Sequence, residues 1–139
     1  MLMSYWRWER LQLTKNFKTT EFRSRDYPII LIDTELLKIL QGIRDAFGKP
    51  VNINSGFRSQ NHNTDVGGSY NSAHLMGKAA DISIPNVPAK QIAQVASALY
   101  GKKIAIGLHE KENYVHIDVL YSGNWYREKL SNKVVNFND

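Results

Sequence analysis

The chain has 139 residues with 42% apolar and 22% charged residues, a length and balance typical of one globular domain, which argues against disorder. No apolar run is long enough to span a membrane. Cysteine is absent, which excludes disulfides and thiolate metal sites. Any metal ion would therefore need histidine and carboxylate ligands. The net charge of +5 favours an anionic partner such as nucleic acid, a membrane surface or a cell-wall polymer, although a charge of this size also serves plain solubility.

The N-terminal segment, residues 1–15, is a mixed aromatic and basic arm for which the pattern predicts no regular structure. Arg7, Glu9 and Arg10 interrupt it before an apolar signal region can form, so we expect no secretory signal peptide. A short helix is predicted at residues 19–22.

Two longer helices are predicted from the spacing of apolar residues. The first begins after Asp33, a suitable N-cap, and ends at Gly48, with Pro50 just beyond. The second begins near Pro88 and ends at Gly101. Their apolar stripes are Leu36, Ile39, Leu40, Ile43 and Phe47 in the first, and Ile92, Val95, Ala96 and Leu99 in the second.

Short strands are predicted where the apolar period changes to two, at residues 51–55, 78–84, 104–106 and 114–119. Residues 56–72 are rich in Asn, Gly and Ser and are predicted to be mostly loop, and residues 129–139 are predicted to be a polar C-terminal tail. Helices interspersed with short strands predict a single α+β domain over residues 1–139, with helices on one face of a small, mainly antiparallel sheet.

Alternation along two of these strands places ionisable residues on the face of the sheet opposite the apolar one. Asp81 has this position in strand 78–84, and His116 and Asp118 have it in strand 114–119. If the two strands are neighbours, Asp81 and His116 converge, and His74 reaches the same place through the turn before Gly77. Two histidines and a carboxylate are typical of a catalytic zinc site that leaves a fourth position for water, whereas the alternative is a set of ordinary polar surface residues.

The residues from Ser72 to Asp81 follow the pattern S-x-H-x-x-G-x-A-x-D, in which Gly77 permits the turn and Ala79 leaves room beside the carboxylate. This pattern resembles the signature of the zinc D-alanyl-D-alanine carboxypeptidase family and its endopeptidase relatives, which hydrolyse peptidoglycan stem peptides. The resemblance covers roughly residues 16–125 and includes phage-type and bacterial members. Its other blocks are Asn16 to Lys18 with Glu21, Phe22 and Ser24 to Asp26; Ser55 to Ser59; Asn63 with Val66 to Gly68; and Asn113 to Asp118.

The resemblance implies the hedgehog/DD-peptidase fold and a zinc ion held by His74, Asp81 and His116. It also implies that Arg58 holds a substrate carboxylate through two parallel hydrogen bonds, the alternative being a surface salt bridge. Ser72 is expected to bind substrate, or else to stabilise a turn.

The general base is the point at which the chain departs from the family pattern. Several members carry Glu three residues before the last histidine ligand, where this chain has Asn113, which cannot accept a proton at neutral pH. Asp118 is the leading candidate, either as the base or as a group that orients His116. Glu112 and His109 are the alternatives.

We therefore expect a monomeric zinc peptidase that cleaves peptidoglycan stem peptides by means of metal-activated water, as a carboxypeptidase or an endopeptidase. The alternative is a zinc-containing wall-binding module of the same fold without hydrolysis.

Neither a nucleic-acid nor a membrane partner is expected, since no recognition pattern accompanies the basic charge. A protein made in the cytoplasm without a signal peptide but acting on the wall suits a phage or prophage lysin. Trp125 and Tyr126 either pack in the core or contact the substrate.

Overall fold

Most of the regular structure lies in one five-stranded sheet and in the helices that cover one of its faces. The computed structural model of the protein describes residues 1–128 and 135–138. The strands are β1 (Leu2–Trp6), β2 (Gln12–Thr14), β3 (Phe17–Lys18), β4 (Ile29–Asp33), β5 (Asn52–Ser55), β6 (Ala79–Ser83), β7 (Ala105–His109), β8 (Tyr114–Asp118) and β9 (Trp125–Arg127). The α-helices are α1 (Thr34–Phe47), α2 (Gln60–Asp65) and α3 (Ala89–Tyr100), with short 3₁₀ helices at Thr19–Glu21, Ala73–Met76 and Gly101–Lys103.

The central sheet has the strand order β5-β6-β8-β7-β9. Its pairs are antiparallel except for β7 and β9, which run parallel. This arrangement confirms the predicted α+β class with a small, mainly antiparallel sheet.

The two long helices form where the apolar stripes and caps predict them. The Asp33 carboxylate accepts a hydrogen bond from the Glu35 amide at 2.9 Å, and Gly48 ends α1 in the left-handed conformation. The predicted stripe of α1 is largely buried. In α3 the prediction for Leu99 is wrong, because that side chain is 49% exposed while Ala93 is buried in its place.

The apolar face of the central sheet is buried in the hydrophobic core against α3, which in turn packs on α1. Alternate residues of its three inner strands supply this face, namely Ala80, Ile82, Ile106, Leu108, Val115 and Ile117. Because side chains alternate between the faces of a strand, the intervening residues lie on the opposite face, away from the core. That polar face bears the candidate site.

The N-terminal arm has more structure than its sequence predicts. Strand β1 pairs antiparallel with β4, and β2 pairs with β3. Ile30 and Ile32 of β4 are buried, as are Phe17 and Phe22, whose rings meet edge to face. The predicted short helix is present as the 3₁₀ helix Thr19–Glu21.

Of the predicted C-terminal tail, residues 129–134 and 139 lie outside the described residues. Phe137 is buried, its ring centroid lies 5.6 Å from that of Trp125, and its carbonyl accepts a hydrogen bond from Gln94 at 2.9 Å. Among the described residues, no helix combines the length and apolarity that crossing a bilayer requires.

Candidate metal site and catalytic cleft

His74 is positioned by the 3₁₀ helix Ala73–Met76, which is fixed at both ends. Ser72 accepts a hydrogen bond from the His74 amide at 3.2 Å, and Gly77 ends the helix with a φ of +67°. A Cβ atom at position 77 would lie 2.4 Å from the backbone of Leu31, so the turn needs glycine both for its φ and for its close contact with β4. The chain then enters β6 directly.

Three predicted ligands come together where β6, β8 and this turn meet. The register pairs Asp81 with His116, and Asp81 Oδ1 lies 3.0 Å from His116 Nδ1 and 3.2 Å from His74 Nε2. All three candidate ligand atoms lie within 4.8 Å of one another. In a tetrahedral zinc site with bonds of ~2.0 Å, two ligand atoms are about 3.3 Å apart, so this donor set fits such an ion.

Both imidazole rings are held from the side opposite Asp81. His74 Nδ1 donates to the Gly56 carbonyl at 2.7 Å, and His116 Nε2 donates to Asp118 Oδ2 at 2.7 Å. These bonds fix an N–H on the far nitrogen of each ring, so His74 Nε2 and His116 Nδ1, the two atoms that face Asp81, are the nitrogens that give up a proton when a metal ion binds. The structure therefore selects the tautomers that a metal ion requires.

The electrostatics of the cluster favour positive charge. Burial would raise the pKa of Asp81, but hydrogen bonds with His116 and His74 outweigh it and hold that pKa well below its usual range. Burial would lower the pKa of His116, but Asp118 and Asp81 on either side of the ring raise it to about 9. The region around the Asp81 carboxylate and the His116 ring therefore favours a bound cation, which can be a proton or a metal ion.

Asp118, the leading candidate for the base, lies behind His116. It is 3% exposed, and its Oδ1 accepts hydrogen bonds from the amides of Leu120 at 3.0 Å and Tyr121 at 2.7 Å. Its Oδ2 is occupied by the histidine. With both oxygen atoms bonded inside the protein, the geometry favours the orienting role over that of a base.

Arg58 reaches the cluster and is held there by three side chains. Its Nη2 donates to Asp81 Oδ2 at 3.0 Å, its Nε to Ser55 Oγ at 2.9 Å and its Nη1 to Asn63 Oδ1 at 3.4 Å. A guanidinium has five N–H donors, so two are left for a substrate carboxylate. The side chain is 13% exposed and lines the cleft described next.

A cleft of about 770 Å³ lies over the three candidate ligands. Arg58 and Ser72 line it, and so do His109, Tyr114 and Tyr126. The location of Ser72 is compatible with both roles considered for it, because the side chain stabilises a turn and also lines the cleft. A cleft of this size accommodates a short peptide.

The comparison with known families agrees with this geometry. The model of the family described as peptidase M15 matches residues 8–118, most of the chain. The chain belongs to the peptidase M15 family. A zinc D-Ala-D-Ala carboxypeptidase from Streptomyces albus G is 45% identical to it over 58 residues. That stretch is 41% of this M15 chain and spans 23% of the length of the relative. The family resemblance inferred from the sequence motifs is confirmed.

Asn113 has a structural role in this M15 chain. Its backbone is left-handed, with a φ of +57°, a conformation that Asn tolerates better than most residues. Its side-chain oxygen accepts a hydrogen bond from the Ala89 amide at 2.8 Å, at the first residue of α3. Asn113 therefore joins the turn between β7 and β8 to a helix and is not one of the residues that line the cleft.

His109 is the second candidate base that lines the cleft, besides Asp118. Its ring stacks on Tyr114 with centroids 4.3 Å apart, and burial lowers the pKa of His109, which favours the neutral imidazole that can accept a proton. Ligand atoms of Glu112 and Glu128 lie within 4.8 Å of it and of each other. These carboxylates would stabilise the imidazolium that forms when the ring takes a proton. Glu112, the other alternative for the base, is exposed and does not line the cleft.

Tyr126, for which the sequence left core packing and substrate contact open, lines the cleft. Gly107 of β7 pairs with His116 on one side and with Tyr126 on the other. A Cβ at position 107 would lie 2.3 Å from the tyrosine ring, so the ring lies across the glycine, and its centroid is 6.4 Å from that of His116. A glycine on the polar face of a strand signals such a close approach, but the sequence does not identify the partner. Trp125 also borders the cleft and packs on Phe137.

Proposed function

We propose that the chain is a zinc-dependent peptidase that hydrolyses peptide bonds in the stem peptides of bacterial peptidoglycan. The observation that carries this proposal is the convergence of His74, Asp81 and His116 beneath a cleft, with both imidazoles oriented from behind. Membership of the peptidase M15 family and the name of the zinc carboxypeptidase relative support the metal and the substrate class.

The proposed chemistry divides between the ion and the side chains around it. Zinc, when held by the three ligands, would supply an acidified water molecule and polarise the scissile carbonyl. His109 Nε2 accepts a proton from the attacking water and returns it to the leaving amine. The Tyr126 hydroxyl, 3.5 Å from His109 Nε2, donates a hydrogen bond to the oxyanion that develops at the carbonyl. Arg58 holds a substrate carboxylate with its two remaining N–H groups.

We further propose that residues 1–139 form one peptidase domain that acts on the wall as a monomer. The described elements pack around one hydrophobic core, which supports a single domain, and the elution volume in size-exclusion chromatography tests the monomer. The proposal covers both carboxypeptidase and endopeptidase cleavage. Release of a terminal D-alanine would identify the first activity, and a cut within the stem the second.

The test uses two histidines of the same cleft as a matched pair. The purified protein is expected to hold about one zinc ion per chain and to release new termini from peptidoglycan, detected by mass spectrometry of the muropeptides. His74→Ala should lose both zinc and turnover. His109→Ala should keep its zinc while turnover falls about 100-fold or more.

Two outcomes contradict specific parts of the proposal. Tight zinc binding without turnover on several wall types would support a non-catalytic binding module instead of a peptidase. Unchanged turnover in His109→Ala would show that another group carries the proton.

A further inference from the structure

A second cavity, of about 460 Å³, adjoins the catalytic cleft. Arginine dominates its charged lining, which consists of Arg7, Arg23, Arg25 and Arg58 together with Glu21, the acidic side chain of that lining. His62 also lines it. Four guanidinium groups around one small cavity give it the donors and the charge that oxyanions require.

Within residues 1–128 and 135–138, part of this positive charge has no acidic partner. Arg25 forms an ion pair with Asp65, and Arg58 forms one with Asp81. Arg7, in contrast, donates to the backbone carbonyl of Ser24, a neutral group. Burial lowers the pKa of His62, and the charges of Arg25 and Arg58 lower it further, as expected in a positive potential.

Arg58 is the boundary between the two cavities. Its Nε bonds to Ser55, which lines the second cavity, while its Nη2 bonds to Asp81, which lines the cleft. Val66 also lines both cavities. An anion in the second cavity and a peptide in the cleft would therefore lie on either side of one guanidinium group.

We propose that the second cavity binds an oxyanion, a carboxylate or a phosphate, carried by the same wall polymer whose peptide occupies the cleft. The identity of the polymer rests on the proposed function, whereas binding of the anion does not. Two contacts with one polymer raise the effective concentration of the peptide at the cleft, so the anion contact lowers KM without changing kcat.

The first experiment measures anion binding directly and needs no turnover. Inorganic phosphate and acetate are titrated separately into the zinc-loaded protein, and binding is followed by the NMR signals of the His62 ring and the arginine Nε–H groups. Arg23 is exposed, so Arg23→Gln should leave the fold intact while weakening anion binding about threefold, and Arg23→Glu about tenfold. Arg10→Gln and Arg10→Glu are the matched controls, because Arg10 is exposed in the same N-terminal part of the chain but lines neither cavity.

Equal anion binding by the Arg23 and Arg10 variants, or no shift of these signals in the wild type, would overturn the proposal. If phosphate or acetate binds as expected but wild type cleaves no wall, the proposed function fails while the anion site stands. The two proposals are therefore tested separately.

The second experiment identifies the source of the anion on the wall. With intact wall, Arg23→Glu should raise KM about tenfold and leave kcat and zinc content unchanged. Stripping the phosphate polymers abolishes this difference if phosphate is bound, and amidating the peptide carboxylates abolishes it if a carboxylate is bound. A difference that survives both treatments would show that the cavity does not bind an anion of the wall.

Discussion

The Asp118→Asn variant distinguishes the two roles considered for this residue. Oδ1 of Asp118 accepts two backbone N–H groups, from Leu120 and Tyr121, while Oδ2 accepts the Nε2–H of His116. An asparagine has one carbonyl oxygen and one NH₂ group for these positions. The two backbone donors retain the oxygen, because the opposite orientation would face them with an NH₂ group in a site that is 3% exposed.

The NH₂ group of the variant would then face His116 Nε2. That nitrogen becomes an acceptor, so the ring proton moves to Nδ1, the atom that faces Asp81 and the proposed metal position. Zinc binding must reverse this tautomer and lose a hydrogen bond. The expected cost is about 1.5–3 kcal/mol, which corresponds to about a 10- to 100-fold weaker zinc affinity.

The assay is zinc affinity by competition with a chelator, measured beside kcat at saturating zinc. The Asp118→Asn protein should show the weaker affinity, and much of its turnover should return when zinc is saturating. Asp45→Asn is the matched control, since it makes the same chemical change at an exposed position on α1. An unchanged zinc affinity with kcat lost at all zinc concentrations would refute this reasoning and identify Asp118 as the base.

Three further substitutions test the turn at Gly77, the ion pair between Asp33 and Lys78, and the cleft. Gly77→Ala should cost at least about 2 kcal/mol more unfolding free energy than Gly48→Ala, because both positions have a positive φ but only the first would contact the β4 backbone; equal melting temperatures would contradict this. Asp33→Asn keeps the cap but loses the ion pair with Lys78, at a cost of about 2 kcal/mol at neutral pH. Burial would raise the pKa of Asp33, but the hydrogen bonds from Lys78 and the helix amide lower it below its usual value of 3.8. The extra unfolding free energy of the wild type should therefore be complete above about pH 4 and disappear as the pH falls through the folded-state pKa. Denaturant unfolding across this pH range measures it, and an advantage that is constant with pH would contradict it. Tyr126→Phe should keep its zinc and its KM while kcat falls about 100-fold, and an unchanged kcat would show that the hydroxyl does not contact the reacting carbonyl.

Elements defined by local signals were predictable from the sequence. Helix α1 has an N-cap at Asp33 and a glycine at its end, and β6 and β8 show clear alternation, so each could be identified from its own residues. Strands β1 and β4 could not, because β1 is stabilised by pairing with residues 23 to 31 positions away, and neither strand has a hairpin turn to indicate its partner.

The candidate metal ligands were predictable for a related reason. Alternation identified Asp81 and His116, and the motif around Gly77 added His74. The supporting hydrogen bonds were less accessible: a backbone carbonyl, that of Gly56, holds one imidazole, and a carbonyl leaves no signal in the sequence. Arg58 was expected to bind substrate. Its bond to Asp81 was not predictable, because it depends on the pairing of β5, which ends three residues before Arg58, with β6, which carries Asp81.

The proposed base and the proposed oxyanion donor were harder to identify because their positions depend on the order of strands in the sheet. Asp118 shares a strand face with His116, so the sequence favoured it as the base. Residues two positions apart on a strand are about 6.6 Å apart. In the structure, Asp118 contacts His116 Nε2, the ring nitrogen that faces away from the proposed metal position. His109 and Tyr126 enter the cleft from β7 and β9, and they approach His116 because those strands follow β8 in the sheet. Strand β9 also lies beyond residue 118, where the family match ends. A ligand set that lies within matched motifs can thus be inferred from a sequence, whereas a base supplied by a neighbouring strand requires the strand order, which here favours His109 over Asp118.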